Sequence, residues 1–129
     1  SIKMAQRTDI TTKADIKLLL DTFYKKAMHD PEIGVFFTEV VELDLQTHMP
    51  RMYIFWEAVL FGKSEYRGDP MKKHVDLNNK KTMEKAHFDR WIQMFHQTVD
   101  EFFVGQTAEL AKTRALSIAT VMQIKIAQQ

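Results

Sequence analysis

The segment DLQTHMPRMYIFWEAVLFG, Asp44 to Gly62, most constrains the fold, because at helical spacing it is apolar on two sides. Leu45, His48, Met52, Phe55 and Val59 step by three or four along one stripe, and Met49, Tyr53, Trp56 and Leu60 form a second. Such a helix must be sandwiched, either between other helices or between helices and a large apolar ligand. Its internal breaker is Pro50, which predicts a kink there or a helix that begins close to it. The plainest reading of the first stripe is core, with His48 a hydrogen-bonded, partly buried member.

The flanking segments read as helix too. Four glycines and three prolines in 129 residues leave few breakers, and nowhere do valine and isoleucine alternate with polar residues over the length of a strand. Thr12 and Asp15 form a capping-box-like start, after which Ile16, Leu19, Leu20, Phe23, Tyr24 and Ala27 recur at helical spacing up to Asp30-Pro31. This predicts a helix near 13–29. Asp30 is placed to cap a short turn opened by Pro31, with IGVFF as an apolar hinge beyond it. After the polar loop GKSEYRGDP, Asp69 and Pro70 open a second short turn that carries His74. Thr82 starts a third long run, through Phe88, Trp91, Ile92, Phe95, Val99, Phe102 and Phe103 to Gly105, and an alanine-rich run continues from Thr107 to the end. The expectation is one all-α domain over residues 1–129, with 1–12 as a loosely packed extension.

Composition narrows the chemistry. Eighteen basic residues against seventeen acidic ones, interspersed, give no field that would gather nucleic acid or an anionic membrane. No apolar run is long enough to span a bilayer, and the start lacks a signal-peptide core, so the expected location is cytoplasmic. Cysteine is absent, which removes disulfides, thiolate nucleophiles and sulfur-ligated zinc. Of the histidines, His29, His48, His74, His87 and His96, no two stand three or four apart, so none can pair on one helix face to grip a metal. His74, among Lys72, Lys73 and Asp76, taken alone is an ordinary surface histidine.

Taken in order, Tyr24 in TFYKKA, the turn PEIGVFF, His48 with FWEAVL, Tyr66, GDPMKKHVDL and HFDRWIQMF before TVDEFF resemble the third group of the truncated haemoglobins, from about Asp15 to Ile124. The resemblance implies a globin-like two-over-two helical sandwich around a haem. It implies that His74 is the proximal iron ligand, that Tyr24, His48 and Trp91 line the distal ligand pocket, and that Phe37 packs on the haem. Members often carry a tryptophan where Leu45 stands. With a haem present, the stripe of His48, Met52 and Phe55 has a flat apolar partner, and Arg51 and Lys73 become candidates for the propionates at the rim.

The expected cofactor is therefore haem b, and the expected partners are dioxygen, nitric oxide, carbon monoxide and cyanide. Function would be high-affinity binding or transport of such ligands. Turnover of the nitric oxide dioxygenase or peroxidase kind would need a separate reductase, because the chain has no flavin or nucleotide motif of its own. Two alternatives stay open. His87, one turn before Trp91, could be the iron ligand, or the domain could be a haem-free helical sensor or interaction module with an aromatic pocket.

Overall fold

The computed structural model describes residues 6–38, 44–62 and 83–128. Those residues form α1 (Lys13–His29), α2 (Val35–Thr38), α3 (Leu45–Phe61), α4 (Lys85–Phe102) and α5 (Gln106–Ala127). Helix α1 packs against both α3 and α4, and α4 packs against α5, with α3 touching α5 as well. The expected turn around His74 lies outside the described residues.

Local chemistry sets most of the helix ends. The Thr12 hydroxyl accepts from the Asp15 amide at 3.1 Å while Asp15 Oδ2 accepts from the Thr12 amide at 3.1 Å, a reciprocal cap at the expected place. At the start of α3, Asp44 Oδ1 accepts from the Gln46 amide at 3.1 Å, and α3 ends on Gly62, whose φ of 73° suits a residue without Cβ. Helix α3 begins five residues before Pro50, so the proline sits inside it and the Gln46 carbonyl lacks the amide four residues on. Helix α4 starts at Lys85 rather than at Thr82, after an extended Glu84.

The core is continuous through these pairs. Ile16, Leu19, Leu20 and Phe23 of α1 are almost wholly excluded from solvent, as are Phe95 and Val99 of α4 and the alanines Ala108, Ala111 and Ala115 of α5. The small side chains of α5 bring its backbone close to α4. Helix α3 buries His48, Met49, Met52 and Trp56 of its two stripes, leaves Phe55, Val59, Tyr53 and Leu60 partly covered and Leu45 exposed, and carries Glu57 inside at 5 % exposure.

Residues 6–12 correct the expectation of a loose extension. Ile10 is buried at 1 % exposure, Thr8 bridges to Phe103, and Asp9 accepts from the Thr107 and Ala108 amides at 2.9 and 2.8 Å, capping α5 from across the chain. Burial alone would raise the Asp9 pKa, but the backbone amides of Thr107, Ala108 and Ile10 outweigh it and hold the carboxyl below its ordinary value. A Cβ on Gly105, at φ 143°, would meet the Asp9 carboxyl carbon at 2.5 Å. Glycine is what lets the acid reach the helix start.

Asp30 performs a similar role between α1 and α4. Its Oδ2 accepts from the Glu32 and Ile33 amides at 3.0 and 3.1 Å, and its Oδ1 accepts from Arg90 Nη2 at 2.7 Å. The Arg90 guanidinium beside it, helped by those amides, keeps the buried carboxyl below the usual carboxylate value. Asp30→Ala is expected to lower unfolding stability by about 2 kcal/mol in denaturant melts, since it strands two amides and a half-exposed guanidinium. Because the folded pKa is depressed, this stabilisation is full above the unfolded value of 3.8 and is lost as pH falls through the folded value. Wild type and variant should therefore converge in stability only in strong acid.

Candidate functional site

Tyr24 and His48 meet where α1 faces the first turns of α3. Tyr24 Oη lies 3.0 Å from His48 Nε2, and both residues are buried, at 8 % and 9 % exposure. Their positions follow from the helical phase: Tyr24 is on the inward face of α1 beside Phe23, and His48 is one turn into α3. Burial pushes the Tyr24 phenol far above its ordinary pKa, so the hydroxyl keeps its proton. The pair then holds a hydrogen that points from phenol to imidazole or from imidazole to phenol, according to the histidine tautomer.

Aromatic rings frame this pair. Phe37, at the end of the short turn, packs edge-on against Tyr24 with centroids 5.9 Å apart, and Phe23 touches Tyr24 at 5.4 Å and Trp91 at 5.8 Å. Trp91 stacks on Phe95 at 6.0 Å, and Phe95 stacks on Trp56 at 5.1 Å, which ties α4 to α3. Trp91 is only partly buried, and among the described residues no hydrogen bond occupies its indole N–H.

Beside these rings lies a small, partly open cavity of about 20 Å³ whose walls include Phe36, Phe37, Met83, His87, Trp91 and Met122. Phe37 therefore belongs both to the cavity and to the surroundings of the Tyr24–His48 pair, and Trp91 joins the cavity to Phe23 behind that pair. Met52 is buried and Phe55 half-buried in the main core, and neither lines the cavity, nor does His48. Arg51 is exposed on α3. His74 and Lys73 lie outside the described residues.

His87 stands in the cavity wall with Trp91, as their i, i+4 spacing on one helix face predicts. Its ring meets Phe36 edge-on at 4.9 Å, and its Nδ1 accepts from the Glu84 amide at 2.9 Å. The chain's Glu-x-x-His spacing, Glu84 to His87, thus serves a helix start. His96, on the same helix, faces away and lies with Nε2 3.1 Å from the Lys112 carbonyl. A neutral imidazole that accepts at Nδ1 carries its hydrogen on Nε2 and has no second lone pair for a metal. That state of His87 does not suit an iron ligand.

The donor set fits a haem. The side chains lining the cavity are apolar and aromatic, the kind that pack on a flat macrocycle, with a protonated phenol nearby and an indole N–H uncommitted among the described residues; the axial imidazole would come from outside the described residues, where His74 stands in sequence. Among the described residues no helix is long and apolar enough to cross a membrane.

Comparison with known proteins bears on the same site. A sequence model described as bacterial-like globin matches residues 8–127. A group 3 truncated haemoglobin of Campylobacter jejuni is 26 % identical over 111 residues, covering 84 % of this chain and 85 % of that one. A group 1 truncated haemoglobin of Chlamydomonas moewusii is 26 % identical over 110 residues, covering 84 % of this chain and 61 % of its own length. The crystal structure of the group III truncated haemoglobin from Campylobacter jejuni superimposes with a TM-score of 0.80 over 93 % of this chain and 94 % of that chain, at 23 % identity.

Proposed function

We infer, from the premise that this chain belongs to the bacterial-like globin family and is a haem-based gas-binding protein, that it takes up haem b and holds dioxygen and related diatomic ligands with high affinity. The observation that carries the affinity is the buried Tyr24–His48 pair beside Trp91. Haem, when bound, would supply an iron that takes up a small diatomic ligand. The chain's own residues do the rest. His74 is the proximal ligand by this reading, Tyr24 and Trp91 offer hydrogen-bond donors to the ligand, and Phe37 packs the macrocycle. Met52 and Phe55 support the distal helix from the core, and Lys73 is a candidate for a propionate, as is the exposed Arg51.

Dioxygen and nitric oxide are the ligands this donor arrangement favours, because each takes on negative charge when held, whereas carbon monoxide gains less from an N–H or O–H. Chemistry on dioxygen, nitric oxide or peroxide would draw electrons from a separate reductase. The test is hemin titration of the purified protein followed by rapid-mixing kinetics with dioxygen, nitric oxide, carbon monoxide and cyanide. A Soret band at one haem per chain and slow dioxygen release are expected. A colourless protein that cannot be reconstituted with hemin would overturn the reading and favour the haem-free interaction module.

His48 has a second role in this account. It lies near the start of α3, where its bond to Tyr24 must open before the imidazole can swing aside. Breaking one hydrogen bond costs about 1 kcal/mol, so His48→Leu is expected to speed ligand association about fivefold in flash photolysis. Association rates indifferent to the substitution would remove the gate.

A further inference from the structure

We propose that His87 is a haem-anchoring residue, donating its Nε2–H to a propionate carboxylate, and that the Glu84 backbone amide fixes the tautomer that lets it do so. This rests on the haem reading and names a contact within that site. The cavity wall is apolar almost throughout, with Ile33, Phe36, Phe37, Phe88 and Met122, and the His87 ring interrupts it. Nδ1 is committed to the Glu84 amide at 2.9 Å, so the neutral ring has its hydrogen on Nε2, and that nitrogen points away from the helix start. Phe36 holds the ring edge-on at 4.9 Å and limits its rotation. Among the described residues no acceptor meets Nε2.

A donor in a partly open, apolar cavity finds its best partner in an anionic acceptor at the mouth, because the bond is then charge-assisted and the anion keeps one side in water. A haem presents two such groups, its propionates, at one edge. A ring that accepts at Nδ1 can donate from Nε2 without carrying a charge, so the contact needs no buried positive charge. A lysine or arginine at that place would strand its charge against Phe36 whenever the haem was absent.

The test compares hemin loss to an excess of apomyoglobin from wild type, His87→Leu and His87→Gln, using ordinary protohaem and then its dimethyl ester. With protohaem, His87→Leu is expected to release haem about tenfold faster than wild type, as for loss of one hydrogen bond to a charged acceptor. His87→Gln, which keeps an N–H donor and a carbonyl acceptor, should recover much of the difference. With the dimethyl ester the gap between wild type and His87→Leu should close. A gap that persists with the ester would assign His87 a purely structural part in the α4 start, and equal rates with protohaem would remove it from the haem edge. Both results overturn the proposal. If His87→Leu does not fold, His87→Phe takes its place: a protohaem loss gap from wild type that closes with the ester supports the contact, and a gap that persists with the ester or is absent with protohaem overturns it. Failure of the wild type to take up hemin at all would sink the haem reading itself, and the His87 contact with it.

Discussion

His74→Ala is expected to abolish stable haem uptake. By this reading His74 supplies the imidazole that holds the iron, and the described walls supply only apolar contact and hydrogen bonds. Without an axial nitrogen the haem is retained by burial alone, so a titration should show a weak, broad Soret band and rapid loss to a competing apoprotein. Adding free imidazole should restore part of the spectrum, because the missing group is a ligand and the cavity is intact. A five-coordinate ferrous spectrum surviving unchanged in His74→Ala would move the ligand elsewhere. The first place to look would then be His87, which would have to give up its hydrogen bond from the Glu84 amide to present a lone pair.

The second large effect concerns ligand release. Tyr24→Phe and Trp91→Phe are each expected to speed dioxygen dissociation by about tenfold or more, since one hydrogen bond to a developing negative charge in a dry pocket is worth about 1 to 3 kcal/mol. The two should differ in background. Tyr24 shares its hydroxyl with His48 at 3.0 Å, so removing it frees the imidazole to offer its own N–H in place of the phenol. Tyr24→Phe should therefore cost more affinity when His48 is already leucine than when it is histidine. Trp91 has no such substitute among the described residues and should behave additively with His48→Leu. Stopped-flow dissociation on the single and double variants separates these outcomes, and unchanged rates in both single variants would take Tyr24 and Trp91 out of the pocket.

Several contacts that matter here join residues far apart in the chain, which is why the pattern of the sequence did not reveal them. Asp30 was legible as a cap for the turn that follows it, because the cap and its amides are two and three residues apart. Its bond to Arg90, sixty residues on, was not. Asp9 and Gly105 look like unrelated punctuation until the fold places the acid on the first amides of α5. The Phe36–Phe37 pair shows the same limit at short range. Periodicity put both in an apolar hinge, and only the packing directs Phe37 to Tyr24 and Phe36 to His87.

By itself the sequence determined the helices and most of their ends, through forces that act within a turn or two: a reciprocal cap at Thr12, a side-chain cap at Asp44, a left-handed stop at Gly62, and apolar steps of three and four. Its order of short motifs also determined the family, since spacing along the chain is a property of the chain. Tertiary structure alone decided which polar groups share a proton. Tyr24 and His48 are twenty-four residues apart, and each would be an ordinary, solvated side chain on an isolated helix. Packing α1 against α3 removes water from both, and the free energy of an unmade hydrogen bond in that dry contact binds the phenol to the imidazole.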